Sequence, residues 1–152
     1  MRKLRVSERD LMFALTNRQP ETPHFLDLES GSVIPVFAYN RETVLEQFKQ
    51  NPHRYLRLAP LSGHQSFVIM ERFTRTVSRP QLRSRLVAVL DGDHAFSRFR
   101  AVLREFPAEL KRWRQFRTVM TVQGLRERLL ALGIELELVA DEKQPVRGDE
   151  ED

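Results

Sequence analysis

Apolar residues recur every three or four positions over most of the chain, which is the spacing of an amphipathic helix. Several of these stretches begin with a residue that commonly caps a helix, such as Ser7, Asn40 or Asp93. The stretches with this spacing are 7–17, 40–51, 66–76, 78–90, 93–104 and 107–133. The pattern therefore predicts about five or six helices.

Strand signals occupy the intervening segments. Residues 25–28 and 33–36 flank a polar turn in which Gly31 can adopt a positive φ, and this arrangement predicts a β-hairpin. Residues 55–58 and 134–139 alternate apolar with polar side chains, as half-buried strands do. An early hairpin followed by clustered helices predicts an α+β fold, with a small antiparallel sheet packed against five or six helices.

Length and composition fit one folded domain and a tail. The chain has 152 residues, of which 41% are hydrophobic, enough for one core. We predict a single domain over residues 1–140 and an acidic, disordered tail over residues 141–152, which carries six acidic and two basic residues. No apolar run reaches the roughly 18 residues of a membrane helix, so a soluble cytoplasmic protein is expected. The absence of cysteine excludes disulfides, thiol nucleophiles and thiolate zinc sites.

Basic residues are concentrated in the second half of the chain. Between Arg72 and Arg128, fourteen basic residues stand against five acidic ones, a net charge of +9, whereas the whole chain carries only +4. Arginine outnumbers lysine 21 to 4. The planar donor fork of arginine suits phosphate and carboxylate recognition, although GC-rich codon usage produces the same excess.

Six arginines are the candidate anion-binding or nucleic-acid-binding residues. Three follow a predicted helix start, where the helix dipole favours an anion, and three surround Trp113 and Phe116 in a pattern typical of single-strand binders. They are Arg98, Arg100, Arg104, Arg112, Arg114 and Arg117. The alternative is that the arginines form a solvated face and that Trp113 is buried, because it lies on the apolar stripe.

Other polar residues give weaker signals. Glu71 lies within an otherwise apolar helix face, and we expect it to form a buried ion pair with an arginine. Asp91, Asp93 and His94 offer metal-ligating atoms, but they match no known ligand loop, and a helix end followed by a new cap explains the two aspartates. We therefore predict no metal, no cofactor and no catalytic residue.

Several short phrases resemble a bacterial family. They are FLDLESG at 25–31, FVIMERF at 67–73, GDHAFSRFR at 92–100 and the following Trp113. Their order and spacing over residues 5–137 resemble uncharacterised protein family 158, whose members carry YLD-x-E-x-G, Y-x-x-M-E-x-F and G-x-G-A-F-R-R-F. This chain differs at Phe25 and Phe67, which replace tyrosines, at Asp93-His94 in the glycine-rich start, and at Ser97. The resemblance implies a fold and a set of positions but no established activity.

Three classes of function follow from the sequence. The favoured one is a non-enzymatic binding or regulatory module whose arginine-rich face binds nucleic acid, with the acidic tail competing for that face. The alternative is a protein-interaction adaptor that binds an acidic protein partner or forms a homodimer. A phosphate-ester or nucleotide-processing enzyme using Glu71, His94 and Arg98 is the least favoured, because no convergent catalytic set is present.

Overall fold

The computed structural model of the protein describes residues 1–17, 19 and 21–140, and the predicted acidic tail lies outside these described residues. Within these ranges the chain forms an α+β fold, as predicted. The helices are α1 (Glu8–Thr16), α2 (Arg41–Gln50), α3 (Gly63–Thr76), α4 (Pro80–Leu90), α5 (Ala95–Arg104) and α6 (Pro107–Ala131). The strands are β1 (Arg2–Ser7), β2 (His24–Asp27), β3 (Val33–Pro35), β4 (Tyr55–Leu58) and β5 (Ile134–Val139).

The described residues form two compact units. Unit 1 comprises residues 1–61 and 122–140, and unit 2 comprises residues 62–121. Helix α6 contributes its first part to unit 2 and its last part to unit 1. A single domain over residues 1–140 therefore stays a prediction.

The predicted hairpin and third strand form an antiparallel sheet in unit 1, with the order β3-β2-β4. Its inner face carries Leu26 and Leu58, which are buried. Its outer face is covered by α2, because the Phe48 ring lies 4.5 Å from that of Phe25 and 4.4 Å from that of Tyr55, centroid to centroid. The hairpin is thus fixed in the fold from both sides.

A second sheet was not predicted in full. The strand predicted at 134–139 is β5, but its partner is β1, which pairs with it in parallel from Arg2 opposite Ile134 to Ser7 opposite Val139. The hydrophobic pattern does not predict β1, because only Leu4 and Val6 mark its buried face and parallel pairing leaves no turn signal between the two strands.

The core of unit 1 joins the two sheets to two helices. Ser7 ends β1 and begins α1, where its hydroxyl accepts a hydrogen bond from the Asp10 N–H at 3.2 Å. Helix α1 and the last part of α6 each bury an apolar stripe against the sheets. The buried residues of these two helices are Leu11, Ala14, Leu15, Val122, Leu125 and Leu129.

Unit 2 is helical and is built around Phe73, which is fully buried. The Phe73 ring centroid lies 6.4 Å from that of Phe99, 5.2 Å from that of Trp113 and 5.5 Å from that of Phe116, each pair edge to face. Such pairs add about 0.5–1.5 kcal/mol each beyond the area they bury. Among the described residues, no helix combines the length and apolar character needed to cross a membrane.

Several predicted details of the helices are corrected. Helix α3 begins at Gly63 rather than at residue 66, because Ser62 and Gln65 form a capping box. Phe96 fits the apolar spacing that predicted the helix at 93–104 but is 40% exposed, since it lies in the first turn of α5, before the buried stripe begins at Phe99. Leu132 is 58% exposed because it follows the last residue of α6.

A substitution at Gly31 would test how closely the hairpin packs against β1. Its φ is +82°, and a Cβ there would lie 2.1 Å from the Arg5 carbonyl oxygen of β1. We expect Gly31→Ala to lower the free energy of unfolding by about 2–4 kcal/mol, since it adds left-handed backbone strain to a clash with main chain. Equilibrium urea unfolding measures the change.

The matched control is Gly124→Ala in helix α6, where a Cβ would meet no atom within 4 Å. That substitution should raise the free energy of unfolding by about 0.5–1 kcal/mol, because alanine loses less backbone entropy in a helix. Equal effects of the two substitutions would contradict the close approach of the hairpin to β1.

Candidate functional site

Helix α5 places Arg98 on one side of its buried stripe and places Arg100 and the exposed Arg104, four residues later, on the other side. Its buried stripe is Phe99, Val102 and Leu103. Arg98 and Arg100 lie two residues apart, about 200° around the helix axis, so they flank this stripe on opposite sides. Arg98 is exposed, whereas Arg100 is half-buried and its Nε is a buried atom with no hydrogen-bond partner among the described residues. The α5 arginines therefore do not form a single row.

Arg112 is held by neighbouring side chains in unit 2. Its Nε and NH2 donate to the two Glu109 carboxylate oxygens at 3.0 and 2.8 Å, and its NH1 donates to Thr76 Oγ1 at 2.7 Å. Its guanidinium carbon lies 4.4 Å from the Phe73 ring centroid. The same hydrogen bonds hold the pKa of Glu109 below its usual value. Arg112 thus stabilises the aromatic core of unit 2.

The remaining candidates lie beside Trp113. The structure places Trp113 in the core, 4% exposed, with its ring centroid 5.1 Å from that of Phe99. The alternative that Trp113 is buried is therefore correct, and the ring is closed to a nucleobase. Arg114 and Arg117 are both half-buried on the same helix. Neither projects fully into solvent.

A second set of arginines meets at the turn between α3 and α4, and the sequence analysis did not single it out. The guanidinium carbons of Arg79 and Arg85 lie 5.2 and 6.0 Å from the Phe106 ring centroid. Arg85 also donates to both Glu105 carboxylate oxygens, at 3.1 and 2.8 Å, and Arg83 NH1 donates to the Val77 carbonyl at 3.2 Å. No local spacing could have revealed the set, since Arg85 and Glu105 are 20 residues apart.

Residues of the family phrase at 25–31 have structural roles in the hairpin. Asp27 is 5% exposed, and its Oδ1 accepts hydrogen bonds from the Glu29 and Ser30 N–H groups at 2.9 and 3.3 Å. Its two oxygens also accept from Arg54 Nε and NH2, both at 2.9 Å. Arg54 NH1 then pairs with a Glu29 oxygen at 2.8 Å. The hydrogen bond from Arg54 is the main reason why the pKa of Asp27 lies far below its usual value.

The other predicted polar residues have less defined surroundings. Glu71 is half-buried, and its ion pair with an arginine stays a prediction. Among the same residues, no three His, Cys, Asp or Glu side chains converge to hold a metal ion.

His94 replaces the second glycine of the family phrase at residues 92–100. Its φ is +56° and ψ +41°, the left-handed conformation that glycine adopts without strain. His94, rather than Asp93, occupies the N-cap position of α5, and it makes no side-chain capping hydrogen bond there. The N-cap predicted at Asp93 is therefore wrong by one residue, because α5 begins at Ala95 and His94 is the residue that precedes it.

These observations define an α+β protein with a hydrogen-bonded hairpin and an arginine-rich helical unit. The chain belongs to the Uncharacterised protein family (UPF0158), whose family model matches residues 1–142. It is similar to the UPF0158 protein PA5073 of Pseudomonas aeruginosa strain PAO1, with 33% identity over 117 residues that cover 76% of this chain and 75% of that protein. The family resemblance of the motifs is thus confirmed. No solved structure matches the chain.

The Asp27–Arg54 pair makes stability depend on pH. Because the pKa of Asp27 is lowered by folding, the stability that its charge supplies is complete above about pH 4, the unfolded value. It is lost as the pH falls from there towards the folded pKa. We expect Asp27→Asn to lower the free energy of unfolding by about 2 kcal/mol at pH 7. The difference from the native chain should shrink below pH 4 in urea titrations, and a difference that is constant with pH would contradict this account.

The left-handed His94 gives a second stability prediction. His94→Gly should raise the free energy of unfolding by about 0.5–1 kcal/mol, because relief of backbone strain exceeds the entropy that glycine gains in the unfolded chain. His94→Val should lower it, since a β-branched residue is the least suited to positive φ. The urea midpoints of both variants measure these changes, and a destabilised glycine variant would show that the imidazole makes a needed contact.

Proposed function

We propose that unit 2 binds the phosphate backbone of nucleic acid. The observation that carries this proposal is its uneven charge. Residues 62–121 contain twelve basic and five acidic residues, a net charge of +7. Unit 1 contains almost equal numbers of basic and acidic residues, so the excess positive charge lies in unit 2.

Exposure of the arginines supports the proposal. Five exposed arginines of unit 2 have no ion pair to a carboxylate among the described residues, and we call them the exposed arginine set. The set consists of Arg72, Arg75, Arg79, Arg83 and Arg98. Two further arginines, Arg85 and Arg112, are each neutralised by a glutamate. Within the exposed arginine set, Arg79 also contacts the Phe106 ring and Arg83 donates to the Val77 carbonyl, but neither contact neutralises the positive charge that an anion would meet.

Arginine is suited to this partner. Its guanidinium donates two parallel hydrogen bonds to a phosphate and loses less hydration than an ammonium group does. Contacts of this kind position a protein on nucleic acid without reading its sequence. The proposed binding is therefore independent of the base sequence of the nucleic acid. Any base preference would have to come from other residues. The acidic protein partner and the homodimer stay alternative predictions.

Fluorescence anisotropy with labelled single-stranded RNA, duplex RNA and duplex DNA tests the proposal. If the protein engages about four to six phosphates, log affinity should fall with log salt with a slope of about −3 to −5. Arg98→Ala should weaken binding of all sequences alike and make the slope less negative by about one unit or slightly less.

The matched control is Arg128→Ala, which removes an exposed arginine from the part of α6 that lies in unit 1. It should leave both affinity and salt slope nearly unchanged. Absence of binding at low salt, or binding that does not weaken with salt, would overturn the proposal. An acidic protein captured from nuclease-treated lysate would then be the better explanation of the charge.

A further inference from the structure

An exposed aromatic pair follows strand β3 in unit 1. Tyr39 is 85% exposed, and its ring stacks on that of Phe37 with a centroid distance of 5.3 Å and an interplanar angle of 11°. Phe37 is half-buried. One face of the stack is therefore anchored in the protein, and the Tyr39 ring extends into solvent.

The loop that carries this pair is held by hydrogen bonds. Asn40 Oδ1 accepts from the Phe37 N–H at 2.7 Å, and Asn40 Nδ2 donates to the Pro35 carbonyl at 3.2 Å. Val36, which lies between them, is buried, and its N–H donates to the Pro23 carbonyl at 2.9 Å. Asn40 occupies the N-cap position of α2, as predicted, but its side chain makes no capping hydrogen bond there and braces the loop instead. The ring pair is preorganised, which lowers the entropic cost of binding a ligand to it.

Two exposed arginines near the pair in the chain or the sheet can supply cations for a ligand with a flat ring. Arg41, two residues after Tyr39, is exposed, and the exposed Glu42 follows it. On the outer face of the neighbouring sheet, Arg57 lies over the Phe25 ring at 5.9 Å. An aromatic ring beside cations is the combination with which proteins stack unpaired bases while contacting their phosphates.

We propose that Tyr39, stacked on Phe37, is a platform for an unpaired nucleobase and that Arg41 contacts the adjoining phosphate. The inference rests on the proposed function and adds to it a preference for single-stranded over duplex nucleic acid. Bases within a duplex are already stacked on both faces, so a solvent-facing ring can accept only a base that is free of pairing. A ring of this kind binds any of the four bases, because each has a π-face.

The test uses the full-length protein and a single-stranded oligonucleotide that contains 2-aminopurine, whose fluorescence falls when the base stacks. The native chain should quench the fluorescence, and Tyr39→Phe should quench it equally, because the ring is kept. Tyr39→Ala should lose the quenching and bind the single strand about 5- to 100-fold more weakly, the range that one base–aromatic stack supplies. Its affinity for duplex should stay unchanged.

Two controls separate stacking from other effects. Leu132→Ala removes another exposed apolar side chain of unit 1 and should leave quenching intact. The urea midpoint of Tyr39→Ala should match that of the native chain, since the ring is largely in solvent. Salt-dependent binding that is identical in the native chain and Tyr39→Ala would overturn this inference and leave the proposed function standing. Failure of the native chain to bind any probe would overturn both.

Discussion

The part of unit 1 that joins the hairpin to strand β4 depends on one buried carboxylate. Asp27 accepts four hydrogen bonds, two from the backbone of the turn and two from Arg54, so its negative charge is satisfied where water is excluded. The turn it orders places Gly31 against the Arg5 carbonyl of β1. Arg2 of β1 in turn donates to the Leu28 carbonyl at 2.6 Å. The Asp27–Arg54 ion pair therefore links the hairpin to the start of β4, and the ordered turn contacts β1. Most residues of the family phrase at 25–31 thus have structural roles.

Arginine has two distinct roles in unit 2. Arg85 and Arg112 form paired, two-pronged contacts with Glu105 and Glu109, and they lie against aromatic rings, so they belong to the packing of the helices. In the exposed arginine set, Arg79 also lies against the Phe106 ring and its charge contributes to the lowered pKa of Glu109, but no member forms a two-pronged contact with a carboxylate of the described residues. Because a phosphate ligand competes best where no carboxylate already occupies the guanidinium, a charge count alone overstates the available surface. The division between the two roles is what makes the proposed binding testable residue by residue.

Periodicity predicted most elements because burial depends on local spacing. The helices, the hairpin and the strands at 55–58 and 134–139 follow from it. It missed β1, whose signal is two apolar residues, and it could not show that Arg112 meets Thr76 or that Arg54 meets Asp27, since these pairs are 36 and 27 residues apart. The candidate arginines were predicted as two groups of three, and helix geometry separates Arg98 from the other two in the first group. The sequence around Tyr39 contains no motif that predicts a stacking site, because the exposure of its ring and the hydrogen bonds that hold its loop are visible only in the structure.

The most direct test of the account is a backbone amide NMR titration of the full-length protein with an unlabelled single-stranded oligonucleotide at low and high salt. The account predicts shifts at the exposed arginine set and at residues 37–41, which disappear together as salt releases the strand. Unchanged spectra at low salt, or shifts confined to residues outside these two regions, would contradict it.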